Sequence, residues 1–393
     1  LLQGYNLSSV SAMSDAPNFD VSTTATSPEE PVSPLIAPTV LASALVAANP
    51  DLPLKTFCST ETIARFSSPD AEVRALLQAS GVFDLGWRTR IQVTGEDRLR
   101  WLSGMVTNAV QQLPEQAGNY SFFLNAQGRI QGDAYVYRDK DRLLLDTSKD
   151  QAEAITAHLD RFIIMDDVTL ENLQSTSYSL GLSGPQAAQL LTNAGISLPA
   201  TSAENPIQFA EATFDSVNIT VAALPGELAP HYEIFCNPAD AAAIWKQLVQ
   251  HRATPCGIEA VEALRVIEGL PRYGVDLHDR DLPQETSQAR ALNFNKGCYL
   301  GQEIVERIRS RGAVHKGLRQ FSLQGTPPAL PADLLADGTV IGRLTSAVSV
   351  DTSAGPIQRA IGIVRVDAMS AAATLTYNGG VALPLDRPQA IPC

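Results

Sequence analysis

Cysteine is scarce in this sequence. Five occur in 393 residues, at positions 58, 236, 256, 298 and 393. The number is odd and no two are close together. That argues against a disulfide framework and against a CxxC-type metal site, and a reducing cytoplasm is the simplest compartment. Long apolar runs are missing as well, since none reaches the ~18 residues of a membrane-spanning helix. The segment from Leu35 to Ala48 is too short, contains Pro38 and has no basic flank, so it does not read as a signal peptide. Lys and Arg are absent from the first 54 residues, which carry Asp15, Asp20, Glu29, Glu30 and Asp51. With a net charge of −13, the chain lacks the cationic excess that a nucleic-acid backbone demands. His231, His251 and His278 show no metal-ligand spacing and read as structural or surface residues.

What is present suffices for a folded protein. Apolar residues make up 45% and charged residues 18% of the chain, and its length fits two or three domains. Residues 1–54 are rich in Ser, Thr, Ala and Pro, and their composition predicts a disordered leader. Within it, Leu35–Ala48 could form a short helix, and Met13 could be the natural start. From Cys58 onward short strands alternate with helices. "RTRIQVTGEDRLRWLSGMVTN" reads as strand, turn and helix, and "NYSFFLNAQGRIQGDAYVYRDKDRLLLDT" as a β-meander turning at Asn125–Gly128 and Arg138–Asp141. A similar pattern follows from Tyr178 to about Gln250. "IEAVEALRVIEGLPRYGVDL" is a helix that Pro271 stops. After Gly312 only short strands follow, which predicts a small barrel. The class is α+β, with two halves of one domain over 55–312, split near residue 175, and a barrel over 313–393.

The chemistry concentrates in "NFNKGCYLGQE", Asn293 to Glu303. Gly297 and Gly301 permit unusual backbone angles and close approach of another molecule. Glu303 falls in the first turn of a helix with Ile304 and Ile308 on one face. A thiol just before a helix and near Lys296 ionises more easily. Cys298 is therefore either a reactive or ligand-donating thiol, or a small residue packed beside a turn. One thiolate cannot hold an iron–sulfur cluster, so any metal role must be shared with a partner.

"KGCYLGQE" resembles the K-G-C-Y-x-G-Q-E signature of the YgfZ family, folate-binding proteins linked to iron–sulfur cluster assembly and repair. Their fold is shared with the glycine cleavage T-protein, an aminomethyltransferase. "GVFDLGWRTRIQVTGEDRLRWLSGMVTNAV", "GNYSFFLNAQGRIQGDAYVYR" and "GIEAVEALRVIEGLPRYGVDL" resemble further segments of the T-protein pattern. The resemblance implies a T-protein-like fold that binds tetrahydrofolate, with or without a polyglutamate tail. It places Tyr120, Asp133, Glu233 and Arg265 at folate-contacting positions, with Tyr299, Gln302 and Glu303 of the signature beside them. Cys298, Lys296 and Asp133 become the candidate catalytic residues.

These residue types suit a folate. One carboxylate, Glu233, can accept from an amino group and a ring N–H side by side. Tyr120 can wall an aromatic ring. Arg265, or the basic group Arg307, Arg309, Arg311, His315, Lys316 and Arg319, can meet an acidic tail. Each has a plainer reading: Glu233 facing solvent, Tyr120 in the core, Arg265 in helix-surface pairs with Glu262 and Glu268, and the basic group as a solvated helix end followed by an edge strand guarded by charge. The sequence departs from the transferase pattern at "GRIQGD", where Gly132 replaces the first of two acids and Asp133 is kept. The expectation is a cytoplasmic accessory protein, monomeric or weakly oligomeric. Its partners would be iron–sulfur client or assembly proteins, including clients that modify tRNA. The alternatives are a folate-dependent one-carbon transferase using Asp133 and a folate-binding adaptor.

Overall fold

The structure, a computed structural model, describes residues 36–393 apart from 313, 353–354, 372–373, 387 and 390–393, together with the side chains of all these except 311, 370 and 371. Met13, Cys393 and residues 1–35 of the expected leader lie outside the described residues. Residues 36–54, also expected in the leader, hold helix α1 (Val40–Ala48), which Thr39 caps by accepting from Ala42 N at 3.0 Å. Leu41 and Ala42 are fully buried, and Leu41 packs with Leu180, Ile234 and Ile244. Tyr178 fixes the helix, accepting from Leu41 N at 3.1 Å while donating to Asp84 at 2.7 Å. The apolar partners of α1 lie more than a hundred residues downstream, which local composition cannot reveal.

A hairpin of β1 (Leu54–Phe57) and β2 (Thr60–Ile63) follows, turning tightly through Cys58 and Ser59 at φ +45° and +61°. Helix α2 (Pro69–Gln78) begins as its sequence dictates, with Ser68 at the cap and Pro69 at the first position. Its Glu72 is fully buried and accepts from Phe66 N and Ser67 N at 2.6 Å and from Gly257 N at 2.7 Å. That last bond fixes the start of the helix that walls the cavity described below. Glu72→Ala strands three backbone amides, that of Gly257 buried, and is expected to cost on the order of 3 kcal/mol. Urea unfolding would measure the loss, and an unchanged midpoint would refute it.

After β3 (Gly81–Asp84) the chain runs twice through one motif. The first copy is β4 (Arg88–Thr94), α3 (Arg98–Ser103), β5 (Ala117–Leu124), β6 (Ile130–Arg138), β7 (Leu143–Ser148), α4 (Lys149–Asp160) and β8 (Thr169–Asn172). The second is β9 (Tyr178–Ser183), α5 (Ala187–Asn193), β10 (Ile207–Phe214), β11 (Val217–Leu224), β12 (His231–Cys236), α6 (Ala241–Gln250) and β13 (Thr254–Cys256). All eleven strands from β3 to β13 join one sheet in the order β13-β3-β9-β12-β11-β10-β5-β6-β7-β4-β8. The two copies share one strand order, except that β3 is inserted between β9 and β13. They meet through β10 and β5, which pair only at Ile207–Gly118 and Gln208–Ala117.

Helices α7 (Ile258–Ile267) and α8 (Gln302–Arg311) lead into the barrel. Its strands are β14 (Lys316–Gly325), β15 (Ala332–Ala336), β16 (Thr339–Thr352), β17 (Gly355–Arg365), β18 (Leu375–Tyr377) and β19 (Gly380–Leu385), with α9 (Val366–Ala371) after β17. They close in the order β14-β17-β16-β15-β18-β19 around Phe321, Leu334, Leu344 and Ala360. The expected α+β class and C-terminal barrel are both present. Among the described residues no helix is long and apolar enough to cross a membrane.

Candidate functional site

A cavity of about 1130 Å³, counted out to its open mouth, lies between the sheet and α7. Strand alternation sets its lining. On β6, Asp133 and Tyr135 face the cavity, while Gly132 faces α4, where an added Cβ would stand 3.0 Å from Ile155. A larger acid in place of Gly132 would therefore press on α4. Opposite stand Arg88 of β4 and His231 and Glu233 of β12.

Glu233 is buried. Tyr137 Oη donates to it at 3.5 Å, and His231 Nε2 lies 3.7 Å away. Behind it, fully buried Asp146 is gripped by Arg88, whose Nε lies 3.2 Å from both carboxylate oxygens. Asp146 and Glu233 hydrogen-bond each other. Two buried carboxylates in contact cannot both ionise cheaply, so the pair keeps a proton. We assign that proton to Asp146: burial pushes it up to about 7 against the pull of Arg88. Burial also works to raise Glu233, but His231 and Arg88 hold it down at about 2.

The sign of the resulting pH dependence is fixed. The folded state keeps the Asp146 proton that the unfolded chain releases near pH ~4, so this group's stabilisation is present below that pH and is lost as pH rises toward 7. Asp146→Asn is expected to flatten the decline in the thermal midpoint between about pH 4 and 7. An unchanged slope would show that Asp146 ionises normally.

Tyr120 donates to Asp133 Oδ2 at 2.6 Å, and Gln151 Nε2 donates to Oδ1 at 3.0 Å, so both carboxylate oxygens are oriented. Burial and the neighbouring Asp133 push the Tyr120 phenol well above its ordinary range, so it stays a donor. Arg290 lies over the Tyr120 ring at 4.8 Å, and Arg272 enters from the loop after α7.

The structure brings Tyr120, Asp133, Glu233 and Arg265 to this one cavity. Arg265 has no free donor there. Its five N–H bonds go to Glu262 (3.0 and 3.1 Å), Leu270 O (2.9 Å), Asp276 (2.6 Å) and Ser346 (2.9 Å), which locks α7 to β16. The expected folate contact through its guanidinium is corrected to a structural clamp.

The residues of the signature lie elsewhere. Lys296, Cys298, Tyr299, Gln302 and Glu303 do not line the cavity. Cys298 is exposed. Lys296 Nζ donates to Ser103 O at 2.6 Å and Val106 O at 2.5 Å, where α3 ends and leaves carbonyls unpaired. Its burial lowers it to about 7. Lys296 thus anchors the loop to the end of α3. Gly301 has φ +79°, and a Cβ there would lie 2.5 Å from Asn125 O, so glycine is required where the loop meets the β5–β6 turn. Tyr299 is buried, Gln302 accepts from Tyr299 N at 3.2 Å, and exposed Glu303 pairs with Arg307 at 3.3 Å. These three shape the loop instead of contacting a ligand in the cavity.

Among the described residues of the basic group, several cations are already engaged. Lys316 pairs with Asp281 at 2.7 Å, Arg309 with Glu306 at 3.5 Å, and Arg319 donates to Ser287 at 3.0 Å. His231, read as structural or surface from sequence, stands in the cavity and stacks on Phe83 with ring centroids 5.7 Å apart. Sequence reasoning also missed Arg88, Tyr135, Asp146, Arg272 and Arg290. Two of these carried a signal. Alternate arginines in "WRTRIQV" and a lone acid in "LLLDTS" put charge on strands otherwise built for burial.

The GCVT N-terminal domain family matches residues 54–296. The chain belongs to that family. Its similar relatives include the aminomethyltransferase of Halalkalibacterium halodurans, 26% identical over 300 residues that cover 73% of this chain and 80% of the relative. A putative chloroplastic transferase of Arabidopsis thaliana is 25% identical over 319 residues, 80% of this chain and 72% of the relative. Among solved structures, the glycine cleavage system aminomethyltransferase T of Bartonella henselae superposes with a TM-score of 0.74 at 22% identity, over 87% of this chain and 94% of that one. At that identity the match establishes the fold: this GCVT-family chain has the T-protein-like architecture.

Proposed function

We propose that this GCVT-family protein binds a reduced folate in the cavity and serves iron–sulfur cluster assembly or repair through Cys298, as a YgfZ-type accessory factor. The observation that carries the folate reading is Glu233, a buried carboxylate kept ionised by His231 and Arg88 and facing an aromatic-walled cavity. The donor set fits the ligand. Glu233 accepts the paired N–H groups of a pterin, Tyr120 and Tyr135 wall the benzoyl ring, and α7 excludes water. Bound there, a reduced folate carries or accepts a one-carbon unit on its ring nitrogens.

Cys298 supports the cluster reading by its placement. The loop is pinned at Lys296 and Gly301, while the thiol between them stays exposed, so another protein can reach it. The thiolate would give iron one ligand, with the rest coming from the client. Clients would include tRNA-modifying enzymes, in a cytoplasmic setting.

A second reading is one-carbon transfer. It is favoured by Asp133, whose oxygens Tyr120 and Gln151 aim into the cavity, and by the aminomethyltransferase relatives. Here Asp133 would orient a substrate amine or take its proton. Equilibrium dialysis of tetrahydrofolate against the purified chain tests the common step, and absence of binding would remove both readings. A Cys298→Ala complementation then separates them, as argued below.

A further inference from the structure

We infer that the cavity continues into a second chamber that receives the anionic tail of the ligand, with Arg272 as its first carboxylate receptor and Lys55 further out. The inference rests on the folate reading and extends it to a preference for γ-polyglutamylated folates.

The second chamber, about 1050 Å³ out to its mouth, lies between the β1–β2 hairpin, α7 and β16. It shares Glu262, Arg265 and Arg272 with the first. Arg272 therefore borders both, and its bonding is incomplete. Its Nε is buried with no hydrogen-bond partner among the described residues. Its other nitrogens reach only to Cys58 Sγ at 3.6 Å and Glu262 at 3.6 Å, while the guanidinium lies over the Phe57 ring at 4.4 Å. Arginine donors are rarely left so loosely held inside a protein, since each unmade bond carries a desolvation cost.

The surrounding charges leave Arg272 available. Glu262 already takes two bonds from Arg265, at 3.0 and 3.1 Å. Burial pushes the Cys58 thiol up to about 12, so it stays neutral beside the guanidinium. Glu259, the other acid in the chamber, is met by Arg65 at 3.1 Å, and Lys55 stands 3.8 Å from it, half exposed and loosely held. A planar fork with free donors on an aromatic face, followed by a mobile ammonium, suits carboxylates spaced along a flexible chain. γ-Linked glutamates have that chemistry.

The test compares three ligands by calorimetry: tetrahydropterin, which has no tail, tetrahydrofolate monoglutamate, and its triglutamate. Arg272→Gln is expected to weaken the monoglutamate about tenfold while leaving tetrahydropterin unchanged, and Arg272→Lys to restore part of the loss. Lys55→Gln should narrow the preference for triglutamate over monoglutamate and nothing else. Equal loss of tetrahydropterin affinity in Arg272→Gln, or no loss of the monoglutamate, would overturn the tail site and leave the folate reading intact. Failure of all three ligands to bind the wild type would overturn the folate reading and the tail site with it.

Discussion

Glu233→Ala is expected to weaken tetrahydrofolate binding about 100-fold or more, because it removes the buried carboxylate proposed to accept the paired N–H donors. The fold should survive. Glu233 projects from β12 into the cavity and its own contacts are long, 3.5 Å to Tyr137 and 3.7 Å to His231. Asp146, relieved of its carboxylate neighbour, would ionise against Arg88, which already holds it at 3.2 Å. The variant should therefore show two linked changes: a lost ligand, and a thermal midpoint that no longer falls between about pH 4 and 7. Glu233→Gln is a sharper probe, since its amide keeps one acceptor and offers a donor where a pterin also donates. An unchanged dissociation constant in either variant would mean that the ligand does not sit on Glu233.

How much of this site could be read in advance depended on how local its signals are. The helix stop at Pro271 and the barrel strands after Gly312 follow from neighbouring residues and appear where the pattern put them, although the short helix α9 was not expected. Tyr120, Asp133 and Glu233 were found by resemblance and do meet in one cavity. Arg265 was found the same way, yet its donors close onto Asp276 and Ser346, partners 11 and 81 residues away. Residue type alone cannot say which partner a guanidinium takes. Lys296 is a related case, since adjacency to Cys298 in sequence placed its stem but not its amine. Tertiary contacts also decided α1, whose apolar face is covered by strands and a helix far downstream. Arg272 was quoted within "GLPRYGVDL" as part of a motif, but the chamber that gives it meaning needs the β1–β2 hairpin and β16 packed against α7.

Cys298→Ala is expected to leave a deletion strain without iron–sulfur enzyme activity, measured on a tRNA-thiolating client, while tetrahydrofolate affinity stays within about twofold of wild type. The separation follows from the structure. The thiol is exposed and lies outside the cavity lining, and the loop holding it is fixed by Lys296, Gly301 and the packing of Tyr299, none of which the substitution touches. Asp133→Asn makes the opposite prediction. It keeps the shape of the side chain, but its amide cannot accept from both Tyr120 and Gln151 at once, and it removes the only acid that those two residues orient. If one-carbon transfer is the chain's work, Asp133→Asn should lower turnover of an aminomethyl or N-methyl donor by about 10²–10⁴-fold, with Cys298→Ala fully active. If cluster work is the function, the cellular defect should track Cys298 and spare Asp133→Asn. Full rescue by Cys298→Ala would sink the thiol mechanism and give the weight to Asp133, because Asp133 lines the cavity and the exposed Cys298 does not.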